Sequence, residues 1–455
     1  MEIDTGTGLL GRERAKALLE DVLRRSRAGA TEAVLQYNRT ALTRFAANGI
    51  HQNHADETPT LTVRAVEGTR VGQASTTRLD DAGVAAVVEQ AEAIARRAPA
   101  NAEFPGLPGP GDEPGEAAYS LATIEAGPDL RAAAAGVVCR LARAAGLGAS
   151  GSVMTAGHEL AVANSLGVFA YTPTSSARLA VVATGDDGSG YAEDAALDLA
   201  ALDPEVIATR AVDIGRRAQH PVAAAPGDYT VILRPEAVAD LMTFLARLGF
   251  GGQAVHEGRS FVAGKRGEAV LGANVTLWDD GKDPAGLPLP FDVEGMPRRR
   301  LSLIDRGVAG DVALDMFYAG RLGPGAHTNG HAVPQATDFY SGPIPANMFM
   351  APGDATVEDM IAGTERGLLV TRFHYTRVVH PLHVIVTGMT RDGTFLIENG
   401  AVTRPVKNLR YTQGYLDALR DVRAIGRETR LTSDYITARV PALKIGSFTF
   451  TGVTE

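Results

Sequence analysis

The chain has 455 residues, 45% hydrophobic and 21% charged, an ordinary globular balance that supports two or three domains at roughly 100–200 residues each. Its net charge of -9 is spread along the chain, which argues against phosphate-driven nucleic-acid binding, and its single cysteine, Cys139, excludes an internal disulfide framework. No run approaches the ~18 apolar residues of a membrane span, and Met1–Gly6 lacks a basic region followed by an apolar core, so the expectation is a soluble, cytoplasmic protein.

The segment 11–27 reads as a helix with Ala15, Leu18, Leu19, Val22 and Leu23 on one face. Short strands are expected at 33–37 and 43–47, the second ending at the turn signal Asn48-Gly49. Residues 60–65 and 70–73 alternate like paired strands about Glu67-Gly68. Asp80-Asp81 then caps a helix over 82–97, because an aspartate side chain accepts the free N–H groups of a first turn. The proline- and glycine-rich 105–114 should be irregular. A helix over 128–145 carries Cys139 as a buried thiol. Strands follow at 150–163 and 168–184, then a helix over 203–219. Ala223–Asp228, with its small residues, Pro226 and Gly227, marks a boundary.

Beyond it come a strand at 229–233, a helix at 235–248, and a mostly β region: 275–278, 301–305, 368–377, 383–389 and 394–397, with Asp392-Gly393 as a hairpin signal between the last two. A helix is expected over 409–424 and a closing strand at 442–451. The pattern implies an α+β protein of two domains: residues 1–222 with helices layered on strands, and 223–455 β-rich, a mixed sheet or barrel-like unit.

The candidate chemistry centres on 253–280. His256-Glu257 sets a metal-ligand type beside a general-base type, and a zinc-peptidase helix would place a second histidine one turn on. In an HExxxH arrangement that position is 261, which here is Phe261, a residue with no lone pair to give a metal. His327 and His331 are four apart, but glycines surround them, so a loop is expected and the shared helical face is lost. Asp279-Asp280 and Asp292/Glu294 could serve acid–base chemistry, with turn chemistry favoured. Arg298, Arg299 and Arg300 follow as a cluster that could hold a peptide carboxylate or carbonyls. No GxSxG, CxxC or phosphate-binding loop is present.

These residues carry a resemblance. Thr43–Gln52, Val71–Thr77, Glu257–Gly267, Phe291–Pro297 and Phe395–Gly400 together resemble the TldD/PmbA family of two-subunit peptidases. The resemblance implies that the TldD-type subunit bears HExxxH and a C-terminal cysteine at a zinc site. A PmbA/TldE-type subunit lacks those ligands, as this chain does at Phe261 and in its cysteine-free closing segment 433–452. It implies a non-catalytic subunit with no cofactor of its own. The partner would be a TldD-type metallopeptidase chain carrying the zinc, and the substrate an unfolded or precursor peptide. Residues expected to meet the substrate are His256, Glu257, Arg259, Ser260, Arg298, Arg299, His327 and His331. Two other readings stand beside it: an autonomous metallopeptidase with substituted ligands, and a metal-free homodimeric peptide-binding protein.

Overall fold

A computed structural model describes residues 8–115, 117–323, 326–334 and 342–453, so Met1–Gly6 and Gly325 lie outside the described residues. The first half is built on one antiparallel sheet. Its strands are β1 (Ala30–Ala46), β2 (Gly49–Glu67), β3 (Arg70–Thr76), β4 (Gly148–Asn164), β5 (Phe169–Thr184) and β6 (Ser189–Ala196), in the order β3-β2-β1-β4-β5-β6. Helices α1 (Arg12–Arg25), α2 (Asp81–Arg97), α3 (Leu121–Ile124), α4 (Pro128–Ala144) and α5 (Pro204–Arg217) belong to the same half. The Asp80 carboxylate caps α2 by accepting from the Gly83 N–H at 2.7 Å.

Two apolar cores lie on one face of this sheet. One joins Leu19 and Val22 of α1 and Val87 and Ala91 of α2 to Leu35 and Val63. The other joins Val138 and Cys139 of α4 and Ile207 and Ala211 of α5 to Val153 and Leu179. Cys139 is buried, which pushes its thiol pKa up, as an inert core thiol requires.

The second half contains β7 (Gly227–Leu233), β8 (Leu277–Asp279), β9 (Leu301–Asp305), β10 (Val308–Ala309), β11 (Asn347–Met350), β12 (Arg366–His380), β13 (Ile385–Glu398), β14 (Ala401–Pro405), β15 (Leu409–Gly414), β16 (Val422–Ser433) and β17 (Thr437–Val453). Its helices are α6 (Pro235–Leu248), α7 (Gly252–His256), α8 (Met316–Arg321), α9 (Val357–Ala362) and α10 (Tyr415–Arg420). The order runs β10-β9-β8-β11-β17-β15-β13-β12-β7, and β7 pairs again with β17, so β17, β15, β13, β12 and β7 form a closed ring. The α6 side chains Leu241, Met242, Phe244 and Leu245 are buried in the core shared with this ring. The molecule is therefore α+β, with a helix-backed sheet in one half and a barrel-like mixed sheet in the other.

Several expected elements differ. The two strands expected at 33–37 and 43–47 are one, β1 (Ala30–Ala46), because it is central and bonds to β2 and β4 along its length. β6 carried no expectation. The helix expected over 409–424 is confined to α10. Before it, Leu409, Tyr411 and Gln413 alternate as buried positions in β15, which pairs with β13 and β17. Asp392-Gly393 is not a hairpin turn: it is a left-handed kink inside β13, at φ 55 and 107, and the turn between β12 and β13 lies at 381–384.

Candidate substrate cleft

Strand alternation decides which residues leave the helix-covered side of the first sheet. With Ala33 and Leu35 turned to the helices, Glu32, Val34, Gln36 and Asn38 of β1 face the other way. On that face Val34, Leu160, Val162 and Ala170 receive Phe291 from the second half, a small apolar contact that joins the two sheets. Two adjoining cavities lie on the same face, of about 670 Å³ and about 430 Å³. Both are lined by Gln36, Val293 and residues Ala332 to Pro334.

The larger cavity has a charged wall drawn from both halves. Arg64 of β2 lies 2.8 Å from the Glu32 carboxylate and 3.6 Å from Glu294. The other Glu294 oxygen accepts from the Met316 N–H at 3.0 Å. Burial, with Glu294 adding to it against Arg64, pushes Glu32 up to about 7. Asp315, which caps α8 through the Tyr318 N–H, is pushed up to about 6 by burial and by Glu294. None of Glu32, Arg64 and Asp315 was singled out from the sequence. The alternation of 60–65 was the available signal for Arg64, since it puts Arg64 on the face of Thr60 and Thr62.

The smaller cavity is bounded by Asn38, His158 and Glu159 of the first sheet and by Arg298 and Asn347 of the second half. Arg298 is 5% exposed, and among the described residues neither its Nε nor its Nη1 has a hydrogen-bond partner. Its backbone is fixed by an N–H donated to the Pro290 carbonyl at 2.8 Å. Its side chain runs over Gly281, where a Cβ would meet Arg298 Cδ at 2.3 Å. The carboxylates near it are committed elsewhere. Asp292 accepts three backbone N–H groups, from Glu294, Met296 and Ala332. Burial and Glu294 nevertheless raise its pKa. Glu159 turns its carboxylate to the helix-covered face, where it accepts from the Leu10 and Gly11 N–H groups and from the Tyr171 hydroxyl.

The other singled-out residues are dispersed. Helix α7 ends at His256, and Glu257 and Gly258, the latter at φ +68, turn the chain away. His256 and Glu257 are exposed. Glu257 is held by the Gln253 amide at 2.9 Å and by Arg259 at 2.6 Å, which together keep its pKa below the ordinary carboxylate range. The Ser260 hydroxyl is buried and donates to the Gly249 carbonyl. Phe261, 3% exposed, stands edge-on to Phe250 at 5.4 Å and occupies the space above Gly249, where a Cβ would meet its ring at 2.1 Å. Arg299 and His327 are exposed. His331 is fully buried, with Nε2 2.8 Å from Asp279 Oδ1 and Nδ1 2.9 Å from the Asn329 carbonyl. The other Asp279 oxygen accepts from the Asn347 N–H at 2.6 Å. His331 thus bolts its loop to β8, and Asp279 is a buried structural carboxylate in a strand rather than a turn residue. Asp292 does bond its own turn. Of the eight residues, only Arg298 lines either cavity.

The residues at 256, 257 and 261 do not fit a zinc site. The helix that would align two imidazoles stops at the first, and position 261 points into the apolar core. Among the described residues no group of three or more His, Cys, Asp or Glu side chains could hold a metal ion, and no helix is long and apolar enough to cross a membrane.

A helix-backed sheet joined across a cleft to a barrel-like second half is the architecture of a metallopeptidase family. Residues 226–452 match the PmbA/TldA metallopeptidase C-terminal domain and residues 31–95 match domain 1. The chain belongs to the PmbA/TldD family. It is 31% identical over 123 residues to an uncharacterized protein of Methanocaldococcus jannaschii, covering 27% of this chain and 29% of that protein. It is 24% identical over 212 residues to a metalloprotease TldD homolog of Buchnera aphidicola, covering 46% of this chain and 42% of that one. These alignments span less than half the length of either relative. The crystal structure of TldE from Thermococcus kodakarensis superposes with a TM-score of 0.85 at 23% identity, covering 96% of this chain and 99% of that one. That likeness establishes the fold.

Proposed function

We propose that this chain is the non-metal, TldE-type subunit of a two-chain metallopeptidase acting on unfolded or precursor peptides, and that its cleft is one wall of the shared substrate cavity. The observation that carries this is at residues 252–261. The place where the family's metal ligands fall is an exposed helix end followed by a core phenylalanine, while two cavities between the halves are kept. The zinc that polarises a scissile carbonyl and activates a water belongs, on this reading, to a TldD-type partner. This chain's residues bind, orient and exclude water. Val293 and residues 332–334, common to both cavities, would flank an extended peptide, with polar groups of β1 opposite. The domain division is proposed between residues 222 and 223, and the working compartment as the cytoplasm.

The test is co-expression with a TldD-type chain bearing HExxxH, followed by sizing and cleavage of an unstructured peptide. Cleavage should need both chains and vanish when the partner's HExxxH glutamate is changed to glutamine. If the partner cleaves equally well alone, or this chain never co-elutes with it, the proposal is wrong.

A further inference from the structure

We propose that Arg298 recognises a carboxylate on the peptide that enters the smaller cavity. This rests on reading the cleft as peptide-binding and adds what the peptide must carry. A guanidinium cannot lose its charge in a protein, and a buried charge without a partner is costly, so a buried arginine is normally paired. Arg298 is 5% exposed, lines a cavity of about 430 Å³, and leaves Nε and Nη1 unbonded among the described residues.

Among the described residues no acid is ion-paired with Arg298, and Asp434 on the same wall is exposed. Both oxygens of Asp292 and of Asp279 are already taken, mainly by backbone N–H groups. Gly281 leaves no side chain to displace the Arg298 stem, and the Pro290 carbonyl fixes its backbone, so the fork is positioned before any ligand arrives. A planar guanidinium with free N–H groups matches a carboxylate through two parallel hydrogen bonds. Among the described residues the rest of the wall adds no second lysine or arginine. Asp434 also lines it, so a single negative charge fits better than a dianion such as phosphate.

The carboxylate could be the peptide's C-terminus or an Asp or Glu side chain, and the probes separate these. A short, fluorescein-labelled peptide of glycine, serine and alanine is made as the free acid, as the C-terminal amide, and as the amide with one internal glutamate. Each is titrated against the isolated chain by fluorescence anisotropy, without partner and without cleavage. The free acid, the glutamate amide or both should bind about tenfold or more tightly than the plain amide. Arg298→Gln should erase that preference and Arg298→Lys restore part of it. The form that gains identifies the source of the carboxylate.

Equal binding of all forms, binding of none, or a preference that survives Arg298→Gln overturns the proposal. Stability gives a second readout. Removing an unpaired buried charge should leave the urea midpoint of Arg298→Met unchanged or raised, whereas an arginine with a structural partner would lower it. Because the titration uses this chain alone, failure of partner-dependent cleavage leaves this result standing, and the converse also holds.

Discussion

Phe261 replaces a would-be ligand with a piece of core. Its ring fills the space that Gly249 leaves open and meets Phe250 edge-on, so restoring the HExxxH letters does not restore a site. Phe261→His removes apolar contacts and buries an imidazole among Phe250, Val262 and Leu245, in the same core. We expect a loss of about 3 kcal/mol in urea unfolding. Elemental analysis should find no stoichiometric zinc, and no cleavage of an unstructured peptide should appear. About one zinc per chain, with cleavage abolished by Glu257→Gln, would show that a metal site had been latent. The sequence made the missing ligand visible, because Phe261 stands at a fixed distance from His256. It did not reveal that α7 stops at His256, since Gly258 marks that end only through its left-handed backbone.

The kink in β13 shows why some elements were legible and others were not. Asp392-Gly393 has the letters of a hairpin turn, yet the strand continues through it. Asp392 is gripped by Arg372, and it accepts from Ser189 of β6 at 2.7 Å. Gly393 sits at φ 107, where a Cβ would come within 2.4 Å of Ile214 on α5. The kink therefore docks the second half onto the first. Gly393→Ala should cost about 2–4 kcal/mol through strain and overpacking together, measured as a lower urea midpoint, and an unchanged midpoint would mean that α5 yields freely. Amphipathic helices such as α1 and α2, and strands closed by local turns, could be read because their signals are local. β15 was misread as helix because its pairing with β13 and β17 comes from distant segments, and tertiary pairing overrides a short apolar pattern. At the cleft, Arg298 was legible as part of a basic cluster, whereas the pairing of Glu32 with Arg64 and Glu294 depends on strand register and on contact between the halves.

At the scale of the molecule, the Glu32–Arg64–Glu294 contact makes the union of the halves sensitive to pH. Burial lifts Glu32 from its ordinary 4.5 to about 7, so between those values the folded chain keeps a proton that the unfolded chain has lost. Stability contributed by that proton is present at the acidic end of the window and falls as pH rises, levelling off above about 7. Glu32→Gln should reduce this slope by about 1–3 kcal/mol between pH 5 and pH 7.5, read from urea midpoints at both values. A slope identical to that of the unaltered chain would show that Glu32 is ionised throughout. The closed ring of the second half has a consequence of another kind, in the order of synthesis. Gly227–Leu233 pairs on one edge with Arg366–His380 and on the other with Thr437–Val453, so a ribosome must release nearly all of the second half before its barrel can shut. Until then the ring stays open at the β7 edge that β17 will fill, and the core it shares with α6 is only partly covered. That interval is where a chaperone would be needed, and where a lesion late in the chain would strand everything made since residue 227.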